Sequence, residues 1–435
     1  MSMNLRLLIQ ALTLTLLLIP LAAAAELRIQ ITGGAERAVP IAVIPFLLES
    51  DSKAPSDDVA EIISNNLRRS GKFDPLARRD LIDRPHRMQE VRFQQWRALG
   101  IDNLITGTLK QNADGSYDLR FELLDVYTNA LLAGRRYRVQ EAALRSLAHS
   151  ISDLIYETLT GLPGAYSTRL AYIQVDEEGD GRRTHRLLLA DSDGMRPETI
   201  LTSKQPLMSP SWSPDGKQLA YVSFEDNGRS AIYVQTVATG ERRRVSSHPG
   251  INSAPAWSPD GKRLAMTLSR DGSPNINVLD LESGLITRIT RTSAIDTEPT
   301  WSPDGRSIYF TSDRGGRPQI YRVDATGGAP QRITFDGSYN ARPAVSPDGR
   351  LLAMVHRDDA GFRIAVMDLQ TRDLHILTDG GLDESPGFAP NGEMIVYSRS
   401  RRDLGQLATV SIHGRVNMVV PVIGNQARDP AWSPR

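Results

Sequence analysis

The sequence predicts two domains: a small α/β domain, then a six-bladed β-propeller closed by its own C-terminal strand. Three observations carry that prediction. A short phrase occurs six times, as Trp212-Ser-Pro-Asp-Gly, Trp257-Ser-Pro-Asp-Gly, Trp301-Ser-Pro-Asp-Gly, Val345-Ser-Pro-Asp-Gly, Phe388-Ala-Pro-Asn-Gly and Trp432-Ser-Pro, at intervals of 45, 44, 44, 43 and 44 residues. A period of roughly 40–50 residues marks four-stranded blades, which cannot bury their faces alone and must stack in a ring. Residues 26 to 160 lack the phrase and mix helical with strand periods. The sixth phrase stands at the far C-terminus, while the strand-like Arg169-Leu-Ala-Tyr-Ile173 has no phrase before it. Pro430 to Pro434 therefore supplies the missing inner strand and closes the ring, which removes the exposed edges of an open array.

Residues 1–25 read as a secretory signal. Arg6 gives a positive head, Leu7 to Leu21 is strongly apolar, and Ala22 to Ala25 supplies the small residues that cleavage requires. From Glu26 the chain is polar, and Leu27, Ile29 and Ile31 alternate with Arg28, Gln30 and Thr32 as in a strand. Ile41 to Leu47 is a buried-strand run. Ser56-Asp-Asp-Val59 opens an amphipathic helix that Gly71 stops, and a second helix runs through Val91, Trp96 and Leu99. A strand is expected over 103–109, a hairpin over 117–126 and 131–139, and a last helix over 141–160 with Leu144, Leu147, Ile151, Leu154, Ile155 and Leu159 on one face. Residues 161–164, Gly-Leu-Pro-Gly, form the joint.

From Ala165 the pattern is all β. The unit is clearest at 254–290: Ala254 to Trp257, a Ser-Pro-Asp-Gly turn, Arg263 to Leu268, Asn275 to Leu281, and Leu285 to Ile289. Proline cannot donate into a ladder and Asp-Gly favours tight turns, so the phrase is expected at a strand end. Its tryptophan is a packing residue, since Val345 and Phe388 replace it.

Composition limits the chemistry. The chain has 51 acidic and 51 basic residues, and this balance argues against a nucleic-acid or anionic-membrane binder. There is no cysteine, which excludes disulfides, thiolate metal sites and a lipidated cysteine. No Gly-x-Ser-x-Gly elbow occurs, so the hydrolase that accompanies such repeats in some peptidases is not expected. The seven histidines are scattered and read as lone surface residues, and Asp176 to Gly181 reads as a hairpin turn although it begins like a calcium loop. Neither a metal, a cofactor nor a catalytic residue is expected.

The candidate site is the set of residues just ahead of each phrase: Met208-Ser-Pro210, Ser253-Ala-Pro255, Thr297-Glu-Pro299, Ala341-Arg-Pro343, Glu384-Ser-Pro386 and Arg428-Asp-Pro430. They are expected in six loops rimming one mouth of the central channel. The proline repeats while its two predecessors vary, as on a recognition surface built on a rigid scaffold. A rival reading makes Glu298, Glu384 and Asp429 the carboxylates of a periplasmic propeller enzyme or sugar-binding protein. The strand Glu26 to Thr32, followed by Gly33-Gly34, suits either a first sheet strand or a mobile tail (26–33) that adds a strand to a partner's sheet.

Particular segments go further. A mature start of Glu26-Leu-Arg-Ile-Gln-Ile31, with Ser70-Gly-Lys-Phe-Asp-Pro75, Ala98-Leu-Gly-Ile-Asp102, Gln205-Pro-Leu-Met-Ser-Pro210, Thr297-Glu-Pro-Thr-Trp301, Gly327 to Thr334 and the terminal Pro430-Ala-Trp-Ser-Pro434, resembles the TolB family of periplasmic propeller proteins of the Tol–Pal system, over the whole length. The resemblance implies a non-enzymatic, periplasmic and monomeric binding protein. It implies a propeller mouth that binds the lipoprotein Pal and a tail (Glu26, Leu27, Arg28, Ile29, Gln30, Ile31) that binds the C-terminal domain of TolA. The two sites would be coupled in the service of outer-membrane integrity and invagination at division, and some colicins and phages use the family for uptake. By position, the Pal-contacting rim falls on Ala254, Thr297 and Glu298, flanked by Met208, Ser209, Pro210, Ile251, Ser253, Pro255, Pro299, Arg342, Glu384, Ser385, Arg428 and Asp429. One departure is that a family histidine falls near Ile251 here, with His248 three residues earlier.

Overall fold

A computed structural model describes residues 38–435 apart from 50, 51, 178, 180, 402, 403 and 425. The expected signal (1–25) and tail (26–33) lie outside the described residues. Residues 38–435 form one compact unit.

The first part is a six-stranded mixed sheet. Its strands are β1 (Val39–Val43), β2 (Leu47–Leu48), β3 (Phe73–Pro75), β4 (Asn103–Gln111), β5 (Ser116–Asp125) and β6 (Ala130–Gln140). The order is β3-β1-β4-β5-β6, with β2 also on β4; β3, β1 and β2 run parallel to their neighbours and β4, β5 and β6 are antiparallel. Alternation along β1 serves both faces. Ile41 and Val43 pack under helices α1 (Val59–Arg69) and α3 (Leu144–Thr160), while Ala42 joins Ile44 and Trp96 of the short helix α2 (Phe93–Ala98) beneath the other face. Asp58 caps α1 by accepting from the Glu61 N–H at 3.0 Å. Pro45 separates β1 from β2, so the apolar run that reads as one strand is two.

Six four-stranded sheets follow. The first blade joins the C-terminal strand Ala427–Trp432 to Arg169–Glu177, Arg183–Asp191 and Glu198–Ser203. Trp432 pairs with Leu170 and Ala431 with Ala171, which is the predicted closure. The third blade (Asn252–Trp257, Arg263–Leu268, Asn275–Asp280, Ile286–Arg288) shows how the phrase works. Ser258 Oγ donates to Asp260 and accepts from the Arg263 N–H at 2.9 Å, so the turn is bound on both sides. Gly261 has φ +71°, and a Cβ there would lie 3.7 Å from Pro214 of the preceding phrase. The phrases of neighbouring blades thus pack on one another. The tryptophan is buried as expected and also clamps: Trp257 Nε1–H donates to the Ser211 carbonyl of the blade before at 3.1 Å, as Trp301 does to Ala256 at 3.0 Å and Trp212 to Ala431 at 3.1 Å.

The α/β part sits against the turns at one end of the ring. Lys72 pairs with Glu393 at 3.1 Å, Asn391 donates to the Pro163 carbonyl, and Arg69 reaches the Ser192 carbonyl. Arg145 of α3, 8% exposed, bridges Asp191 at 3.0 Å and Asp193, on a turn of the first blade. Helix α3 therefore departs from the one-faced reading. It buries Arg145, His149 and Ser152 as well as Leu144, Ile151 and Ile155, while Leu147, Leu154 and Leu159 are only partly covered. The histidine expectation is corrected too: His149, His185 and His356 are buried. His149 has Nδ1 2.9 Å from Asn66 Nδ2 and faces Asp191 and Asp193, but Arg145 already occupies both carboxylates. The cluster is an ion-paired joint.

Candidate functional site

Each inner strand carries a bulge, and the six bulges form the candidate site. The registers of strands 207–212, 252–257, 296–301, 339–345, 383–388 and 427–432 all slip between the residue before the Xaa-Pro pair and the residue after it. The residue before proline adopts a left-handed backbone in every case: Ser209 (φ 50°), Ala254 (49°), Glu298 (55°), Arg342 (51°), Ser385 (55°) and Asp429 (50°). This corrects the expected placement. These residues lie inside the strands, because a bulge lets proline stand where no ladder donor is needed.

The six left-handed residues and their prolines line a cavity of about 750 Å³ that follows the channel axis down to Trp212, Trp257 and the C-terminal Arg435. The inner strands run from these bulges to the turns that face the α/β part, so the mouth lies at the opposite end, where no contact of the described α/β residues is found. Of the expected residues, the bulge members Ser209, Ala254, Glu298, Arg342, Ser385 and Asp429, with Pro210, Pro255 and Pro299, come together there. Met208, Ser253, Thr297, Glu384 and Arg428 do not line the cavity. Met208 packs between blades and Arg428 reaches towards His185.

The side chains of the bulge form an open ring of hydrogen bonds. Glu298 accepts from Arg342 Nε at 2.9 Å and from the Arg342 backbone N–H at 3.1 Å. Arg342 Nη1 donates to Ser385 Oγ and to Asp429 Oδ1, the latter at 3.1 Å. Ser385 Oγ donates to Asp429 at 3.0 Å, and the Ser209 N–H donates to Asp429 Oδ2 at 3.2 Å. The chain of contacts runs through blades four, five, six, one and two. It is interrupted at the third blade, where the residue is Ala254. Burial alone would raise the Asp429 carboxyl, but Arg342 and the Ser209 N–H hold it below the usual range. Burial alone would weaken Arg342 as a base, and Asp429 with Glu298 more than offsets that. Glu298 and Asp429 are thus tied to one cation, Arg342, which the charge of Glu384 also stabilises although Glu384 does not line the cavity.

Sequence reading singled out Ile251 but missed the rest of an apolar crown. Ile251, Ile295, Phe335, Leu382 and Ile423 all stand exposed in the connections entering five inner strands, Phe335 to 69% and Ile423 to 61%. The available signal was an apolar residue immediately ahead of a polar one at Ile251-Asn252, Ile295-Asp296 and Leu382-Asp383. The polar partner is buried and pins the connection: Arg314 Nη2 donates to both Asp296 oxygens at 2.8 Å, and Asn252 accepts from Ser246 Oγ at 2.7 Å. The mouth is therefore polar at its centre and bordered by exposed apolar side chains.

Fold and site together define a two-domain propeller protein with a polar, ion-paired channel mouth. Profiles for the TolB beta propeller domain and the TolB amino-terminal domain match residues 156–435 and 27–132. The chain is 54% identical over 422 residues to the Tol-Pal system protein TolB of Alkalilimnicola ehrlichii, covering 97% of this chain and 98% of that one. It is 55% identical to the TolB of Nitrosococcus oceani over 94% of each chain. The crystal structure of TolB from Acinetobacter baumannii is similar with a TM-score of 0.84 and 40% identity, over 92% of this chain and 97% of that one. The chain belongs to the TolB family of the Tol-Pal system.

Proposed function

We propose that this chain is a periplasmic adaptor of the Tol–Pal system, binding Pal at the channel mouth and the C-terminal domain of TolA through residues 26–31. In this reading it acts by mass action among partners, without catalysis, in support of outer-membrane integrity and invagination at division. The observation that carries it is the mouth: an ion-paired ring with an apolar crown, on the end of the propeller away from the described α/β part. A partner segment entering it is desolvated against the crown and read by the polar ring. Coupling between mouth and tail of about 1–3 kcal/mol would let one partner gate the other. The test is titration of the mature protein with the soluble domain of Pal. Wild type is expected to bind. Thr297→Arg, which sets a long cation beside Glu298, is expected to weaken binding, and removal of residues 26–33 to change Pal affinity measurably. A wild-type protein that does not bind Pal refutes the reading. Equal affinities with and without the tail remove the coupling alone.

A further inference from the structure

Outside the channel, the groove between the fifth and sixth blades departs twice from the pattern of the third and fourth. In those two blades the residue ahead of the isoleucine that opens the third strand is an amide, Asn275 or Gln319. Its oxygen accepts from Thr290 Oγ1 at 3.3 Å or from Thr334 Oγ1 at 2.7 Å. The fifth blade keeps the threonine, since Thr378 Oγ1 accepts from the Ile364 N–H at 3.0 Å, but Arg363 stands in the amide's place and a guanidinium cannot accept. In the fourth blade the inner strand opens on Asp296, which receives two bonds of 2.8 Å from Arg314. The sixth blade opens on the equally buried Asp383 beside Arg399, yet that ion pair spans 4.0 Å, beyond a hydrogen bond. Arg399 is 7% exposed, and its Nε and Nη2 have no hydrogen-bond partner among the described residues. Asp379, 84% exposed, lies 3.6 Å from both Arg399 and Arg401, and Arg363 pairs with Asp358 while its Nε stays unpartnered.

The three arginines line one cavity of about 490 Å³ with Thr378, Asp379 and Asn417, and none of these residues lines the channel. A buried guanidinium with unmade hydrogen bonds is costly, and a site that keeps one calls for an acceptor from elsewhere. We propose that this groove binds a phosphoryl group, held by Arg399 with Arg363 and Arg401, whose oxygens displace the Asp379 carboxylate. The inference goes beyond the docking reading above and does not rest on it. Charge and shape select the ligand. Three cations and one carboxylate line the cavity; Asp358 offsets Arg363 from outside the lining, and burial pushes the carboxyl of Asp383, next to Arg399, up. Guanidinium forks match the paired oxygens of a phosphate. An exposed carboxylate such as Asp379 gains little from its pairs and yields to a better acceptor.

The experiment is equilibrium dialysis of the mature protein against radiolabelled inorganic phosphate, with chloride holding the ionic strength constant. Wild type is expected to bind one phosphate per chain, saturably. Arg401→Gln, a change at an exposed side chain that should leave the fold intact, is expected to weaken binding by about tenfold, the scale of one charge-assisted hydrogen bond. Asp379→Asn removes the competing carboxylate and is expected to tighten binding about two- to fivefold, which no purely structural role for these residues would produce. Vesicles then separate the sources of the phosphate. Sedimentation with phosphatidylglycerol but not phosphatidylcholine, abolished by Arg401→Gln, would support the site as one for a lipid headgroup; binding of free phosphate without such capture would support a small soluble ester. The inference is overturned if wild type binds no phosphate above the chloride background, an arm that needs no variant. It is equally overturned if Arg401→Gln and Asp379→Asn both bind phosphate as wild type does.

Discussion

At Arg342 one side chain satisfies two carboxylates, and its removal tests what that pairing contributes. Arg342→Met would leave Glu298 and Asp429 facing one channel with no cation between them. Breaking a buried pair costs about 3–5 kcal/mol, but Arg342 and Glu298 are about a third and a quarter exposed, so about 1–3 kcal/mol is expected. A lower denaturant midpoint at unchanged slope would show it. The Asp429 carboxyl adds a pH signature. Its folded pKa is depressed, so its contribution is complete above the unfolded value and is lost as pH falls below about 4 towards the folded one. Asp429→Asn should therefore flatten the acid limb of a stability–pH profile while costing most near neutrality. An unchanged acid limb would mean that Arg342 does not hold this carboxylate in solution.

At the scale of the strand, the tryptophan of the phrase is as much a clamp as a filler. Trp257→Phe keeps most of the apolar volume but strips the donor from the partly buried Ser211 carbonyl, with an expected cost of about 1 kcal/mol in thermal or chemical unfolding. The substitutions already present at Val345 and Phe388 show that the ring tolerates blades without this bond. Those substitutions are also why the clamp was not legible: replacement by Val and Phe looks like packing alone. The period was legible because every blade repeats it, and the closing strand because its phrase stood at the wrong end of the chain. The bulges were not. Xaa-Pro reads as a strand boundary, and only a register between two strands reveals that proline stands inside one. Strand β3 was missed because three residues, Phe73-Asp-Pro75, show no period. Arg145 and His149 were missed because a helix read for one apolar face hides a second, charged one that needs another domain to exist.

For the whole molecule, the C-terminal strand ties stability and site together. Ala427–Trp432 is the inner strand of the first blade, Trp432 Nε1–H donates to Thr168 at 2.7 Å, and the Arg169 N–H donates to Ser433 Oγ at 2.9 Å. Asp429 on the same strand is the link through which the polar ring passes from Ser385 to Ser209. Deleting residues 427–435 would leave the strand Arg169–Glu177 as an unpaired edge and would remove one of the two carboxylates that hold Arg342. Exposed edges pair with other chains. The truncated protein is therefore expected to unfold at lower temperature, to form concentration-dependent oligomers on gel filtration, and to lose Pal binding. The single substitution Asp429→Asn separates the two consequences: it keeps the strand and breaks only the charge pair, so it should stay monomeric while binding Pal more weakly. A truncated chain that remained monomeric and as heat-resistant as the intact one would mean that the ring is held by its blade-to-blade packing alone, with the closing strand dispensable.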